Sequence, residues 1–442
     1  MASQETIAAV ATAAGQGGIG IVRLSGAEAV QIALLITQRT NINDRFAHYA
    51  KFFDPHGNTI DDGLVIGFMG PKSFTGEDCV ELQGHGGPVV LSLLLQRCLE
   101  LGARHANPGE FSERAFLNGR IDLVQAEAIA DLIAADSTIA AQQAQASISG
   151  VFSASIHQII HDITRLRVFV EAALDFPEEE IDFISEGNVD QKIDLIQDQL
   201  TTLIKQAREG AILQGGATLV LSGKPNVGKS SLLNALSGED IAIVTDIPGT
   251  TRDLLKQTVV IEGVPFEVVD TAGLRVSNDP VEIEGVRRAE GAIERADILL
   301  EVIDDSSEDK VFNSAAGAIR VINKIDLTHR PPGPFNHEGT MGIALSVHTG
   351  QGIDALKQSL LEKLGITART ENRFSARERH LRALQEGLTT LTDAKQRFLA
   401  ARAGELLAED LKKTHDVLGS ITGILSSDDL LGEIFSSFCI GK

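Results

Sequence analysis

The run Gly223-Lys224-Pro225-Asn226-Val227-Gly228-Lys229-Ser230 constrains this chain more than any other segment. It fits GxxxxGK[ST], follows the apolar stretch TLVLSG (218–223) and leads into SSLLNAL, a helix-forming run. A strand, a glycine-bearing turn and a helix start, in that order, gather backbone N–H groups and the positive end of a helix dipole around one point. That arrangement favours a bound phosphate. Lys229 supplies a point charge for the β- and γ-phosphates and the Ser230 hydroxyl can ligate Mg²⁺, with Asn226, Val227, Gly228 and Ser231 completing the loop. The surrounding stretches FEVVDTAG (266–273), ILLEVID (298–304) and AIRVINK (318–324) read as buried parallel strands separated by helices. Residues 216–370 are therefore expected to form an α/β domain.

Three later motifs select the base and the metal. Asp270-Thr271-Ala272-Gly273 ends a strand, where Asp270 can hold Mg²⁺ through water and the Gly273 amide can sense a γ-phosphate. Asn323-Lys324-Ile325-Asp326 ends another. The Asp326 carboxylate can accept the N1 and N2 hydrogens of guanine, a donor pair adenine lacks, while Asn323 and Lys324 buttress the loop. Ser346-Val347-His348 stands where a second base-contacting loop belongs, in place of the commoner Ser-Ala-Lys. Between the first two motifs, Thr245-Asp246-Ile247-Pro248-Gly249-Thr250-Thr251 reads as a switch, with Thr251 as the natural second Mg²⁺ ligand. Leu274 occupies the place where many small GTPases carry a water-orienting Gln. Leu cannot polarise water, so hydrolysis needs another group, and Glu282, Glu284 and Glu290 are acids in range of sequence.

The rest of the chain has a different texture. Residues 1–118 are rich in Gly and turns, with strands at GIGIVRL (18–24) and GLVIGFM (63–69) and a helical run near 88–101, as in a small α+β domain. Residues 119–215 and 371–442 are helical in spacing. Pro177 interrupts the first of these stretches and Glu178-Glu179-Glu180 opens a further helical run towards 210. The Pro-rich segment Arg330–Phe335 reads as a surface connection. The 442 residues are thus expected to form an α/β domain inserted into a discontinuous all-α domain, behind an α+β amino-terminal domain. A formal charge of -22 argues against coating nucleic acid by bulk charge. Three scattered cysteines argue against a disulfide framework. With no basic-then-apolar leader and no apolar run of about 20 residues, the expected location is the cytoplasm, away from membranes.

The segments PNVGKSSLLNAL, TDIPGTTRD, DTAGLR, SFTGEDCVELQGHGG (73–87), PGEFSERAFLNGRIDLVQAEAIADLI (108–133) and the terminal FSSFCIGK together resemble the bacterial and organellar tRNA modification GTPase family called MnmE or TrmE. The resemblance covers essentially the whole chain. It implies a folate-binding, dimerising first domain, a helical domain split in two, and a GTPase domain that pairs with its counterpart in a K⁺-dependent way. It assigns the K⁺ ligands to Asn226, Thr245, Ile247 and Thr250, and the water-orienting acid to Glu282. It maps the folate pocket to Arg23, Glu81, Arg120 and Lys442, for 5,10-methylene- or 5-formyl-tetrahydrofolate, and gives Cys439 a role in modification. It further implies a homodimer working with the flavoprotein MnmG, which carries FAD, in a heterotetramer that adds a (carboxymethyl)aminomethyl group to C5 of the wobble uridine of certain tRNAs. Two other readings are a ribosome-assembly GTPase, which leaves the first domain and CIGK unexplained, and a folate-dependent methyltransferase with a regulatory GTPase.

Overall fold

Two β-sheets and several long helices organise the described residues. The computed structural model describes residues 5–135, 137–175, 188–237, 257–270, 296–307, 318–337, 340–366, 374–401, 403–424, 428–436, 438 and 441. Packing divides them into two units. One draws on Met1–Ala130, Ile148–Glu179 and Ala401–Lys442, the other on Asp131–Ser147 and Glu180–Ala400.

In the first unit, β1 (Ile7–Val10), β2 (Gly17–Ser25), β3 (Ala47–Phe53), β4 (Thr59–Phe68), β5 (Cys79–Gly86) and the short β6 (Arg104–His105) form a sheet in the order β3-β4-β5-β2-β1-β6. All neighbours run antiparallel except β1 and β6. The sequence reading found only parts of β2 and β4. Strand β3 shows why the others form: His48, Ala50 and Phe52 are buried while Ala47, Tyr49 and Lys51 are exposed, the period of two of a half-buried strand. Helices α1 (Ala29–Thr37) and α2 (Pro88–Glu100) cover one face through Ile32, Ile36, Leu91 and Leu94. Helix α3 (Glu110–Leu117) follows, then α4 (Leu123–Ala134), α5 (Thr138–Ile148) and α6 (Val151–Asp175).

The helix pairs follow from seven-residue apolar spacing. In α6 the buried residues Phe152, Ile156, Ile159, Ile163, Leu166 and Val170 recur every three or four positions. They form one stripe, and α6 packs on α12 (Gly404–Thr422), whose stripe is Leu407, Leu411, Thr414, Leu418 and Ile421. In the second unit, α7 (Val189–Gly215) buries Val189, Ile193, Ile196, Leu200, Leu203 and Ala207. It lies antiparallel to α11 (Glu378–Ala401), where Gln197 Nε2 donates to Thr392 Oγ1 at 2.9 Å and Lys395 pairs with Asp194. Each fully buried Leu or Ile contributes roughly 1.5–3 kcal/mol, so these stripes outweigh helix propensity in holding the helices.

Between α7 and α11 lies the second sheet. Its strands are β7 (Ala217–Ser222), β8 (Gln257–Ile261), β9 (Val264–Asp270), β10 (Ile298–Asp304), β11 (Ile319–Asn323), β12 (Gly333–His337) and β13 (Thr340–Ala344). Their order is β12-β13-β11-β10-β7-β9-β8, parallel from β13 to β9 with an antiparallel strand at each edge. Helices α8 (Lys229–Ser237), the single turn α9 (Ile325–Thr328) and α10 (Ile353–Lys363) accompany it. The core includes Leu219, Leu221, Phe266, Val268, Leu300, Val302, Val321 and Ile343. Residues 333–337 are not surface connection but the edge strand β12, paired with β13 in the register Pro334 to Ile343. Proline is tolerated in a sheet where no neighbour asks for its missing N–H, and an outermost strand is such a place. Helix α13 (Asp428–Ser436) packs Ile434 and Phe435 with Phe438 against Leu123 and Ala126. No described helix is long and apolar enough to cross a membrane.

Candidate nucleotide site

The parallel strands β7, β9, β10 and β11 end on the same edge of their sheet, so the loops following them converge there. The loop after β7 is the phosphate loop. Gly228 has φ +100°, and a Cβ there would lie 2.4 Å from Asn323 Nδ2, so only glycine lets the loop reach β11. Val227 anchors the loop in the core at 6% exposure. Lys229, 5% exposed, donates through Nζ to the carbonyls of Gly223 at 2.7 Å and Lys224 at 3.1 Å. Ser230 and Ser231 lie exposed in the first turn of α8.

Asn323 ties this loop to the base-reading segments. Its side chain is buried, its Nδ2 donates to Val227 O at 2.9 Å, and its Oδ1 accepts from Val347 N at 3.2 Å. Lys324 adopts φ +66° and donates through Nζ to Asn226 O at 2.9 Å and to Asp304 Oδ2 at 2.6 Å. Burial alone would raise the Asp304 pKa, but hydrogen bonds from Lys324 and Ser306 outweigh it and hold the carboxyl below its ordinary value. Asp326 sits in the first turn of α9, where its Oδ1 accepts the Ser346 hydroxyl at 2.6 Å. Ser346 is fully buried and its Oγ also accepts from Thr349 N at 3.2 Å. His348 is exposed beside Val347. The structure thus brings together Asn226, Val227, Gly228, Lys229, Asn323, Lys324, Ile325, Asp326, Ser346 and Val347. Asp270 ends β9, next to Leu221 of β7. Thr245 to Thr251, Thr271, Ala272, Gly273, Glu282, Glu284 and Glu290 lie outside the described residues.

Sequence reasoning missed Asp304 and Asp305. The signal was present, since two consecutive acids at the carboxyl end of a buried strand stand where ligands of such sheets gather. It also missed Arg330, which no local pattern marks.

In the first domain Arg23 and Glu81 are direct cross-strand partners on β2 and β5. Arg23 Nη2 and Nε donate to Glu81 Oε1 at 2.8 and 3.1 Å, and Gln83 Nε2 donates to Glu81 Oε2 at 3.0 Å. The guanidinium stands 5.8 Å over the Phe111 ring. Arg120 takes no part in this hydrogen bonding; it is exposed, with its stem along Gly76. Gly441 has φ +96°, and a Cβ there would meet Val10 O at 2.3 Å. The penultimate residue therefore abuts β1, whose Ala9 pairs with Arg23. Cys439 and Lys442 lie outside the described residues.

A largely parallel sheet with a phosphate loop clamped to an Asn-Lys-x-Asp turn defines a P-loop protein of the guanine-nucleotide-binding class. The profile described as "GTP-binding protein TrmE N-terminus" matches residues 6–120, and that of the "MnmE helical domain" matches 123–439. The tRNA modification GTPase MnmE of Pseudomonas fluorescens Pf0-1 is 50% identical over 455 residues, covering 100% of both chains. That of Pseudomonas aeruginosa UCBPP-PA14 is 50% identical over 454 residues, again covering 100% of both. Among solved structures, the G domain of the T. maritima FeoB iron transporter is 23% identical over 33% of this chain and 98% of its own, with a TM-score of 0.26, too slight a likeness to build on. The chain belongs to the MnmE family of tRNA modification GTPases.

Proposed function

We propose that this protein hydrolyses GTP and, with the flavoprotein MnmG and its FAD, adds a (carboxymethyl)aminomethyl group to C5 of the wobble uridine of certain tRNAs, drawing a one-carbon unit from tetrahydrofolate. The observation that carries the nucleotide half is the Asn323 side chain, which holds the phosphate loop and the base-reading loop in one piece. The full-length identity to proteins named for tRNA modification supports the other half.

In this reading Lys229 turns from the loop carbonyls to the β- and γ-phosphates, and Asp326 accepts the guanine N1 and N2 hydrogens. The chemistry of the donor set fits Mg²⁺, a hard cation that takes oxygen ligands: Ser230 and Thr251 would each offer it a hydroxyl. For K⁺, the Asn226 carbonyl is occupied by Lys324, so the exposed amide side chain is the donor left to join Thr245, Ile247 and Thr250. Held there, K⁺ would supply positive charge to offset that developing on the phosphates, the task an arginine performs in other GTPases. Glu282 orients the attacking water. In the first domain, Glu81 has both oxygens hydrogen-bonded and its plane fixed by Arg23 and Gln83, as a carboxylate must be to accept a pair of pterin N–H groups. Arg120 and Lys442 suit the glutamate end of a folate, Gly441 abuts β1, the neighbour of the Arg23 strand, and Cys439 takes part in the modification. The 1–118, 119–215, 216–370 and 371–442 divisions describe the first domain, the two helical parts and the GTPase domain. The active form is a cytoplasmic homodimer in complex with MnmG. GTP hydrolysis drives pairing and release of the GTPase domains, not bond formation on the RNA.

The test is mass spectrometry of tRNA nucleosides from a strain lacking the gene. The C5 modification should vanish, return with the wild-type gene, and fail to return with Glu282→Ala. Unaltered nucleosides in the deletion strain would refute the modification reading, and rescue by Glu282→Ala would remove that residue from the mechanism.

A further inference from the structure

The guanine-reading carboxylate stands on very little helix. α9 is one turn, Ile325–Thr328, with left-handed residues at both ends, Lys324 at φ +66° and His329 at φ +57°. A single turn has no stability of its own, because nucleation fixes several dihedrals for one hydrogen bond. Its position must come from outside. At its start Lys324 is held by Asn226 O and Asp304, and Ile325 is 1% exposed in a cluster with Ile303, Ile322 and Ala344. At its end a second acid takes over. Asp305 follows Asp304 directly, and its backbone N donates to Asn323 O at 2.9 Å, continuing the β10 to β11 ladder. Its side chain is 1% exposed and its Oδ2 accepts from both the Thr328 hydroxyl and Arg330 Nε, the latter at 3.0 Å. The two neighbouring carboxylates therefore bracket the turn, one at Lys324 and the other at Thr328 and Arg330.

We propose that Asp305 is a positioning residue for guanine selection: by gripping Thr328 and Arg330 it sets the tilt of the α9 turn and so the angle at which Asp326 meets the base. This rests on the guanine-nucleotide reading above. Asp326 must offer two oxygens to two parallel N–H groups, so a small rotation sacrifices one bond of the pair. The loss falls harder on guanine, which has both donors, than on hypoxanthine, which lacks the exocyclic amine and offers only N1–H. Removing Asp305 should then lower the preference for GDP over IDP, beyond any general weakening. An unspecific loss of folded protein scales both affinities alike and leaves their ratio untouched.

The experiment is titration calorimetry of the full-length protein with GDP and with IDP, for wild type, Asp305→Ala, Thr328→Val and Arg330→Ala. The expected result is a wild-type preference for GDP of about tenfold or more, the step set by a single hydrogen bond of this kind. In Asp305→Ala that ratio should shrink at least about threefold, with smaller shifts in the same direction for the two partner variants. A ratio unchanged in all three variants, with both affinities intact or falling together, overturns the proposal and leaves the nucleotide reading standing. A wild type that binds GDP and IDP equally overturns the guanine reading and this inference with it. If Asp305→Ala proves too unstable to titrate, Thr328→Val and Arg330→Ala decide the matter by the same ratio.

Discussion

At the scale of single residues, Asn323 is the position on which the nucleotide site turns. One amide side chain satisfies a buried carbonyl of the phosphate loop and a half-buried N–H of the base-reading loop. Removing it leaves the buried Val227 carbonyl unpaired, at about 1–3 kcal/mol, while the half-buried Val347 N–H can turn to water. Asn323→Ala should therefore lower stability to urea by about 2 kcal/mol and weaken GTP binding about tenfold or more, since the loop loses its anchor while Lys229 keeps its charge. Equilibrium unfolding and calorimetric titration check both. An affinity equal to wild type would show that the phosphate loop holds its shape without β11. Asp326 and Ser346 were readable from the sequence because their chemistry is written in short motifs. Asp305 was not, because its worth depends on two residues more than twenty positions away in a fold it cannot announce.

At the scale of elements, helix α3 shows how charge secures a short helix. Its first turn carries Glu110 and Glu113, favourable at the amino end of a helix. Glu110 accepts Arg104 at 2.7 and 3.0 Å, Arg114 at 2.9 Å and Asn107 N at 2.8 Å, which ties α3 to β6. Burial opposes ionisation here, but these hydrogen bonds prevail and hold the Glu110 pKa at about 2, against an ordinary 4.5. The folded value lies below the unfolded one. The ionised carboxylate therefore stabilises the fold fully above about pH 4.5, and this contribution is lost as pH falls towards about 2. The amount is on the order of 3 kcal/mol. Glu110→Gln should lose most of it at pH 7 and show a flatter decline in stability between pH 5 and 2.5 than wild type, followed by urea unfolding. Parallel pH profiles would sink the assignment. The same scale explains the one strand misjudged as a connection. Pro334 signals a break to any local reading, yet at the margin of the sheet it interrupts nothing.

At the scale of the whole molecule, the nucleotide sheet is spliced between two long helices, α7 before it and α11 after it, which are joined by the Gln197–Thr392 hydrogen bond and the Asp194–Lys395 pair. A chain that leaves and re-enters a helical pair in this way can carry a second fold without disturbing the first. The proposed K⁺ requirement belongs to this scale, because it joins one nucleotide domain to another. Replacing K⁺ with Na⁺ should slow GTP turnover by about tenfold or more and abolish association of the GTPase domains in the presence of a transition-state analogue. Phosphate release and analytical sedimentation measure the two effects. Equal turnover and equal association in both salts would discard the cation from the mechanism.

The amino acids in their linear order were enough to announce a phosphate loop, a guanine-selecting turn, the central strands of the α/β region and the helical flanks. Each of these is a local statement: a glycine where the backbone must bend, a carboxylate at a set offset, apolar residues every second or every three to four positions. They hold whatever the rest of the chain does. What only folding arranged is the company those residues keep. Asn323 and Val227 are 96 positions apart, and Arg23 and Glu81 are 58 apart. Such pairs meet because of strand order and register, which are settled by the packing of whole faces against one another. The edge strand around Pro334, the Asp304 and Asp305 bracket, and the approach of Gly441 to β1 arise the same way. A contact between distant segments leaves no trace in either segment alone, since the free energy that selects it belongs to the sheet or core that both complete.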